Sequence, residues 1–240
     1  MIPILIAAAI ASAAPDAAAC PADATSKTTI CRAVAAEQSG KFADAATLFE
    51  SAAAMAEGGD PAADRMLAAA GNMWIAAGQP GKAALALDRA LNGSGLRADQ
   101  RGLALLDRAR AAEAQGDLKT ARAKLDLAIP SVGEDPFLWY FAAALAIREN
   151  DPTTAKVAIN RALVLIPNDP TILFEAGHVY RIAGEDSKAR AFWTRAAAVD
   201  PTGPSGTAAR RALSMLEVPL TVTNEVAKRP DGDGEGPGHR

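Results

Sequence analysis

With 240 residues, a formal net charge of −3 and no block of lysine and arginine, the chain lacks the concentrated basic surface that neutralises phosphates, which argues against nucleic-acid binding. Half of the residues are hydrophobic but only 5% are aromatic, so the apolar content is largely alanine, the best intrinsic helix former. No alternating strand pattern of useful length appears before Val218, and the expected class is all-α.

Residues 1–19 read as a signal peptide. An apolar run from Ile2 to about Ala11 is too short to span a bilayer, which needs about 20 residues, and it leads into Ala11-Ser12-Ala13, an A-x-A pattern. Cleavage is expected between residues 13 and 20, and the mature chain is expected in the periplasm. No Lys or Arg precedes the run, so the α-amino group alone supplies positive charge there.

Cys20 and Cys31 follow, and an even pair in an oxidising compartment reads as a disulfide. Closing so short a loop contributes roughly 2–3 kcal/mol, mainly by restricting the unfolded chain. Two alternatives stand beside it. Cys20 after Ala17-Ala18-Ala19 is also open to lipidation, which would make the chain a membrane-anchored lipoprotein and is its one expected route to membrane contact. Against this, Pro15 and Asp16 interrupt the approach, and no Leu stands three residues before Cys20. The other alternative is a pair of free thiols.

From residue 24 onward the chain is periodic. Ala45, Ala83, Ala121, Ala155 and Ala189 recur at intervals of 38, 38, 34 and 34 residues. Four residues after each stands a bulky side chain (Phe49, Leu87, Leu125, Ile159, Trp193), and seven after each an alanine (Ala52, Ala90, Ala128, Ala162, Ala196). Twelve before each is a small residue: Ala33, Gly71, Ala109, Ala143 and Gly177. Offsets of four and seven share one helical face. Five residues before each anchor sits Gly40, Gly78, Gly116, Asn150 or Gly184, the residue types that adopt the left-handed conformation closing a helix. Pro167 and Pro201 end the last two units.

This pattern resembles the tetratricopeptide repeat (TPR), a helix–turn–helix unit of 34 residues. The last unit matches best, with Leu173, Ala176, Gly177, Tyr180, Gly184, Ala189, Trp193, Ala196 and Pro201 at the places the family prefers. In the first unit Thr29 stands where a large apolar residue is usual, and the first two intervals carry extra residues near Gly58-Gly59-Asp60-Pro61 and Gly93-Ser94-Gly95. The resemblance implies a right-handed superhelical solenoid of five TPR units over residues 20–201. One more amphipathic helix over 202–217, with Ala208, Ala212, Leu213 and Leu216 on a shared face, is expected to cap it. The Pro-, Gly- and charge-rich residues 218–240 are expected to form a disordered tail.

In proteins of this kind the first helices of successive units line a concave groove. The resemblance places Asn72, Arg110, Tyr140, Phe174, His178 and Arg181 on that surface, with Arg148 reaching in from one helix end. Tyr140 and Phe174 have a competing place in the packing between units, and Phe141 is assigned to that packing. The Lys and Asn pairs with which some TPR proteins clamp a terminal carboxylate are missing: their sites hold Ile30, Val34, Ala68 and Asn72.

Catalytic chemistry finds no support. His239 lies in the tail, and His178 has no cysteine or second histidine at metal-ligand spacing. Gln79-Pro80-Gly81-Lys82 lacks the first glycine and the Ser or Thr of a phosphate loop. No enzymatic activity, metal, cofactor or nucleic acid is therefore expected. The expected function is a periplasmic scaffold that binds a protein or peptide segment in its groove, with a role in envelope assembly. The alternative is an accessory subunit of an envelope enzyme or transporter complex.

Overall fold

The computed structural model describes residues 20–56 and 60–217, and over these the chain is entirely helical, with eleven helices and no strand. They are α1 (Ser26–Gln38), α2 (Phe42–Ala54), α3 (Pro61–Ala76), α4 (Pro80–Asn92), α5 (Ala98–Ala114) and α6 (Leu118–Val132). The remainder are α7 (Pro136–Arg148), α8 (Pro152–Leu165), α9 (Pro170–Ile182), α10 (Asp186–Val199) and α11 (Pro204–Glu217). The expected signal peptide and tail lie outside the described residues.

Helix starts are written in the sequence. Asp60, Asp135, Asp151 and Asp169 cap α3, α7, α8 and α9, each side chain accepting from a first-turn amide, and a proline follows each of them at the first helical position. Within each pair the chain turns through one left-handed residue: Gly40, Gly78, Gly116, Asn150 and Gly184 have φ of 70°, 68°, 81°, 60° and 76°. Asn150 is the sole non-glycine residue with positive φ among those described, and it occupies the same place in the repeat.

The periodic positions form the core. All five anchor alanines and all five alanines seven residues later are fully buried, and the bulky side chains between them are at most 7% exposed. The small residues on the first helix of each pair meet the bulky ones on the second. A Cβ on Gly71 would lie 2.4 Å from Leu87 Cγ, and one on Gly177 would lie 2.3 Å from Trp193 Cδ1. Thr29, the irregular first-unit residue, is buried with its hydroxyl donating to the Thr25 carbonyl at 2.9 Å. Burial therefore leaves no orphaned polar group at that site.

Each helix packs on its neighbours in sequence, and the odd-numbered helices α3, α5, α7, α9 and α11 also meet one another in turn. They form the inner layer, the even-numbered helices the outer one. This is the quasi-one-dimensional packing of a solenoid. The extra residues of the first two intervals lengthen the inner helices: α3 and α5 have 16 and 17 residues against 13 in α1, α7 and α9. They extend the helix starts by about one turn of 3.6 residues, so the register downstream is kept.

Two features lie at the ends. Cys20 and Cys31 are disulfide-bonded, their Cα atoms 5.8 Å apart, which ties the segment before α1 to the middle of that helix. At the other end α11 lies over α9 and α10. Its inward face is centred on the fully buried Ala209, with Ser205 and Gly206 also buried and Ala212, Leu213 and Leu216 packed alongside. This corrects the expected face by one residue, from Ala208 to Ala209. At the start of the helix the Gly203 and Gly206 amides donate to the Asp200 carboxylate at 2.9 and 3.1 Å, which ties α11 to the end of α10.

Candidate functional site

The inner helices present equivalent residues at fixed offsets from their small packing residue. Three before it stand Ala68, Leu106, Tyr140 and Phe174 on α3, α5, α7 and α9; two before it, Ala69, Asp107, Phe141 and Glu175; one after it, Asn72, Arg110, Ala144 and His178. This short table of side chains determines the chemistry of the surface.

Asn72 and Arg110 meet on one carboxylate. Asn72 Nδ2 donates to Asp107 Oδ2 at 2.8 Å across α3 and α5, and Arg110 donates to Asp107 Oδ1 at 2.9 Å within α5. The Asp107 side chain is 15% exposed, and burial raises its pKa, opposed by the Arg110 charge and by hydrogen bonds from Asn72 and Arg110. Arg148 reaches from the end of α7 back to α5, pairing with the Glu113 carboxylate and donating to the Glu113 carbonyl at 3.0 Å. Arg181 pairs with Asp186 at 3.0 Å. Arg110, Arg148 and Arg181, all expected at the groove surface, each pair with one of the chain's own carboxylates. The Asp107–Arg110 pair follows from i,i+3 spacing on one helix, whereas Glu113 meets Arg148 only through the stacking of α5 and α7.

Tyr140 and Phe174, on adjacent inner helices, are both half-buried and both packed against the core. Each ring is in part a packing element and in part surface; Phe141 is half-buried in the same way. The Phe174 carbonyl accepts a hydrogen bond from Trp193 Nε1 at 3.1 Å, which locks α9 to α10 beneath the aromatic surface. The Tyr140 hydroxyl is pushed up to about 12, first by burial and then by the negative charges of Glu175 and Asp169 nearby. His178 is exposed, one turn beyond Glu175, and desolvation lowers its pKa.

Glu175 was not singled out by sequence. Burial pushes its carboxyl up to about 7, and no hydrogen bond or ion pair reaches it from any described residue. The signal available in the sequence was its register, two residues before Gly177, as Asp107 is two before Ala109.

Further along the same face, α3 and α5 border a cavity of about 320 Å³ lined by Arg65, Ala69, Asn72, Gln100, Leu103 and Asp107 among others. Gln100 belongs to the four-residue extension at the start of α5, and Leu103 stands just beyond it. The described residues contain no group of three or more metal-ligating side chains, and no described helix is long and apolar enough to cross a membrane.

No protein-family model matches the sequence, and none of the curated proteins is significantly similar to it. Solved structures are similar in fold. A tetratricopeptide repeat protein from Parabacteroides merdae aligns over 80% of this chain and 73% of its own with a TM-score of 0.64 and 15% identity. YrrB, a TPR protein with an unusual peptide-binding site, aligns over 78% of this chain and 91% of its own with a TM-score of 0.58 and 16% identity. PilW, a type IV pilus biogenesis factor, aligns over 76% and 81% with a TM-score of 0.65 and 13% identity. The chain has the TPR solenoid fold.

Proposed function

We propose that this chain is an exported scaffold that binds a segment of a partner protein across the inner face of its solenoid, in the service of envelope assembly. The observation that carries the reading is the aromatic surface formed by Tyr140 and Phe174, one repeat apart on α7 and α9 and each leaving part of its ring uncovered. Large, stiff aromatic side chains supply contact area at low entropic cost, and they dominate the energetics of protein interfaces. The peptide-binding site of YrrB and the part of PilW in pilus biogenesis supply fold-level analogy for a binding role and for an envelope setting. The Cys20–Cys31 bridge supports export, since disulfides persist in oxidising compartments, and a bonded Cys20 has no thiol to lipidate.

The test is a periplasmic crosslinking pull-down with the native chain, Tyr140→Ala and Phe174→Ala, run beside thermal melts. Loss of an interface aromatic typically costs about 2 kcal/mol or more, roughly a 30-fold loss of affinity. We expect both variants to lose the partner while their melting falls by only a few degrees. Full partner capture by both would refute the site.

A further inference from the structure

Two acids stand in the same register of the inner face, and their surroundings differ in two respects. Asp107 on α5 receives Asn72 from the preceding inner helix and Arg110 from its own. At the equivalent places around Glu175 on α9 the chain has Ala144 and His178. Ala144 has no donor to offer. His178 is exposed, and its lowered pKa favours the neutral ring. The unit that carries Glu175 thus keeps the acid, has no counterpart of Asn72, and replaces the Arg110 cation by a histidine that makes no hydrogen bond to the acid.

The position three before the small residue differs too. On the helix preceding Asp107 it is Ala68, and on the helix preceding Glu175 it is Tyr140. Tyr140 lies close enough for the Glu175 charge to act on its hydroxyl, and Phe174 precedes Glu175 on α9. A carboxylate that is half-buried, unpartnered among the described residues and close to the Tyr140 ring is costly to keep ionised unless a cation comes to it. A cation there would gain both the carboxylate and the ring faces. The arginines elsewhere on this face are already engaged.

We infer that Glu175, with Tyr140 and Phe174, forms a receptor for a single lysine or arginine side chain of the bound segment, which takes the place that Arg110 and Asn72 take at Asp107. The inference rests on the groove reading given above and adds the chemistry of the occupant. The bound segment carries a cationic residue flanked by apolar ones, the apolar neighbours lying on the two rings.

The experiment is a selection of random twelve-residue peptides displayed on phage against the full chain. Selected peptides are then synthesised and their affinities measured for the native chain, Glu175→Gln, Tyr140→Ala and Phe174→Ala, with each variant's melting recorded to confirm folding. We expect selected sequences to share one Lys or Arg between apolar residues. Glu175→Gln, which keeps size and shape, should weaken them at least tenfold, and so should replacing the peptide lysine by norleucine. The two changes together should cost little more than either alone, the signature of a direct pair. Peptides that depend on Tyr140 and Phe174 but share no cation, or that ignore Glu175→Gln, overturn the inference and leave the groove reading standing. A selection that yields no binders, or only binders indifferent to Tyr140→Ala and Phe174→Ala, overturns both. If Glu175→Gln instead dissolves a dimer in light scattering, or if deleting residues 218–240 is what frees the site for peptides, the occupant is the chain itself and the inference fails.

Discussion

A carboxylate that burial holds up to about 7 is a cost to folding at neutral pH, and Glu175→Gln should relieve it. The reference value of 4.5 applies to the unfolded chain, so the folded state binds the proton more tightly. Between pH 4.5 and 7 the unfolded state loses its proton first. Stability therefore falls as pH rises through this window, and the penalty is complete above about pH 7. At about 1.36 kcal/mol per unit, the gap sets a ceiling of roughly 3 kcal/mol. Glu175 keeps part of its surface in water, so we expect roughly 1–2 kcal/mol. For a chain of this size that corresponds to about 3–6 °C in melting temperature. Burial is the one resolved cause of its shift. Tyr140 stays neutral through the window, Asp169 caps α9, and His178 stands one turn away. The assay is a pair of thermal melts, native chain and Glu175→Gln, at pH 8 and pH 4.5. The variant should melt higher at pH 8, and the difference should nearly vanish at pH 4.5. Equal melting at pH 8, or a gap that persists in acid, would refute the desolvation argument.

Two further outcomes follow from packing and cross-linking. Gly177→Ala drives a methyl to within 2.3 Å of the Trp193 ring, which is held by its bond to the Phe174 carbonyl; overpacking of this kind should cost about 1–3 kcal/mol, read as a lower denaturation midpoint. Replacing Cys20 and Cys31 by serine should lower stability by roughly 2–3 kcal/mol. The loss should concentrate in faster amide exchange over α1 and α2, leaving α7 to α10 as protected as before.

The repeat was legible because its evidence is redundant. Five alanines agree with bulky residues four positions later and with turn formers five positions earlier, and all of these appear in the structure as buried contacts or left-handed turns. Asn150 shows how far this reaches, since its conformation followed from its place alone. The surface was legible only in part. Register put Tyr140 and Phe174 on adjacent inner helices, but it does not say how much of a ring the next unit covers. The ion pairs of the arginines were hidden for a different reason. An isolated Arg148 or Arg181 looks available in sequence, yet each acquires its carboxylate through an inter-helix or turn contact. Glu175 escaped notice because an exposed-looking acid is ordinary. Only comparison with Asp107 reveals the two missing hydrogen bonds.

The longer starts of α3 and α5 bear on how such a surface can be remodelled. An added stretch of about one turn returns the helix nearly to its original phase, so every inward-facing residue downstream keeps its neighbour. What changes is the height of the wall, by about 5.4 Å per turn. Here that added wall carries Gln100 and borders a cavity that helices of 13 residues would leave open. Depth at one end of the surface can therefore be tailored in whole-turn increments while recognition at the other end, around α9, is left untouched. A designer lengthening α7 by one turn would have to move the Asp135-Pro136 start to the new first turn, since a proline left inside the helix would break it.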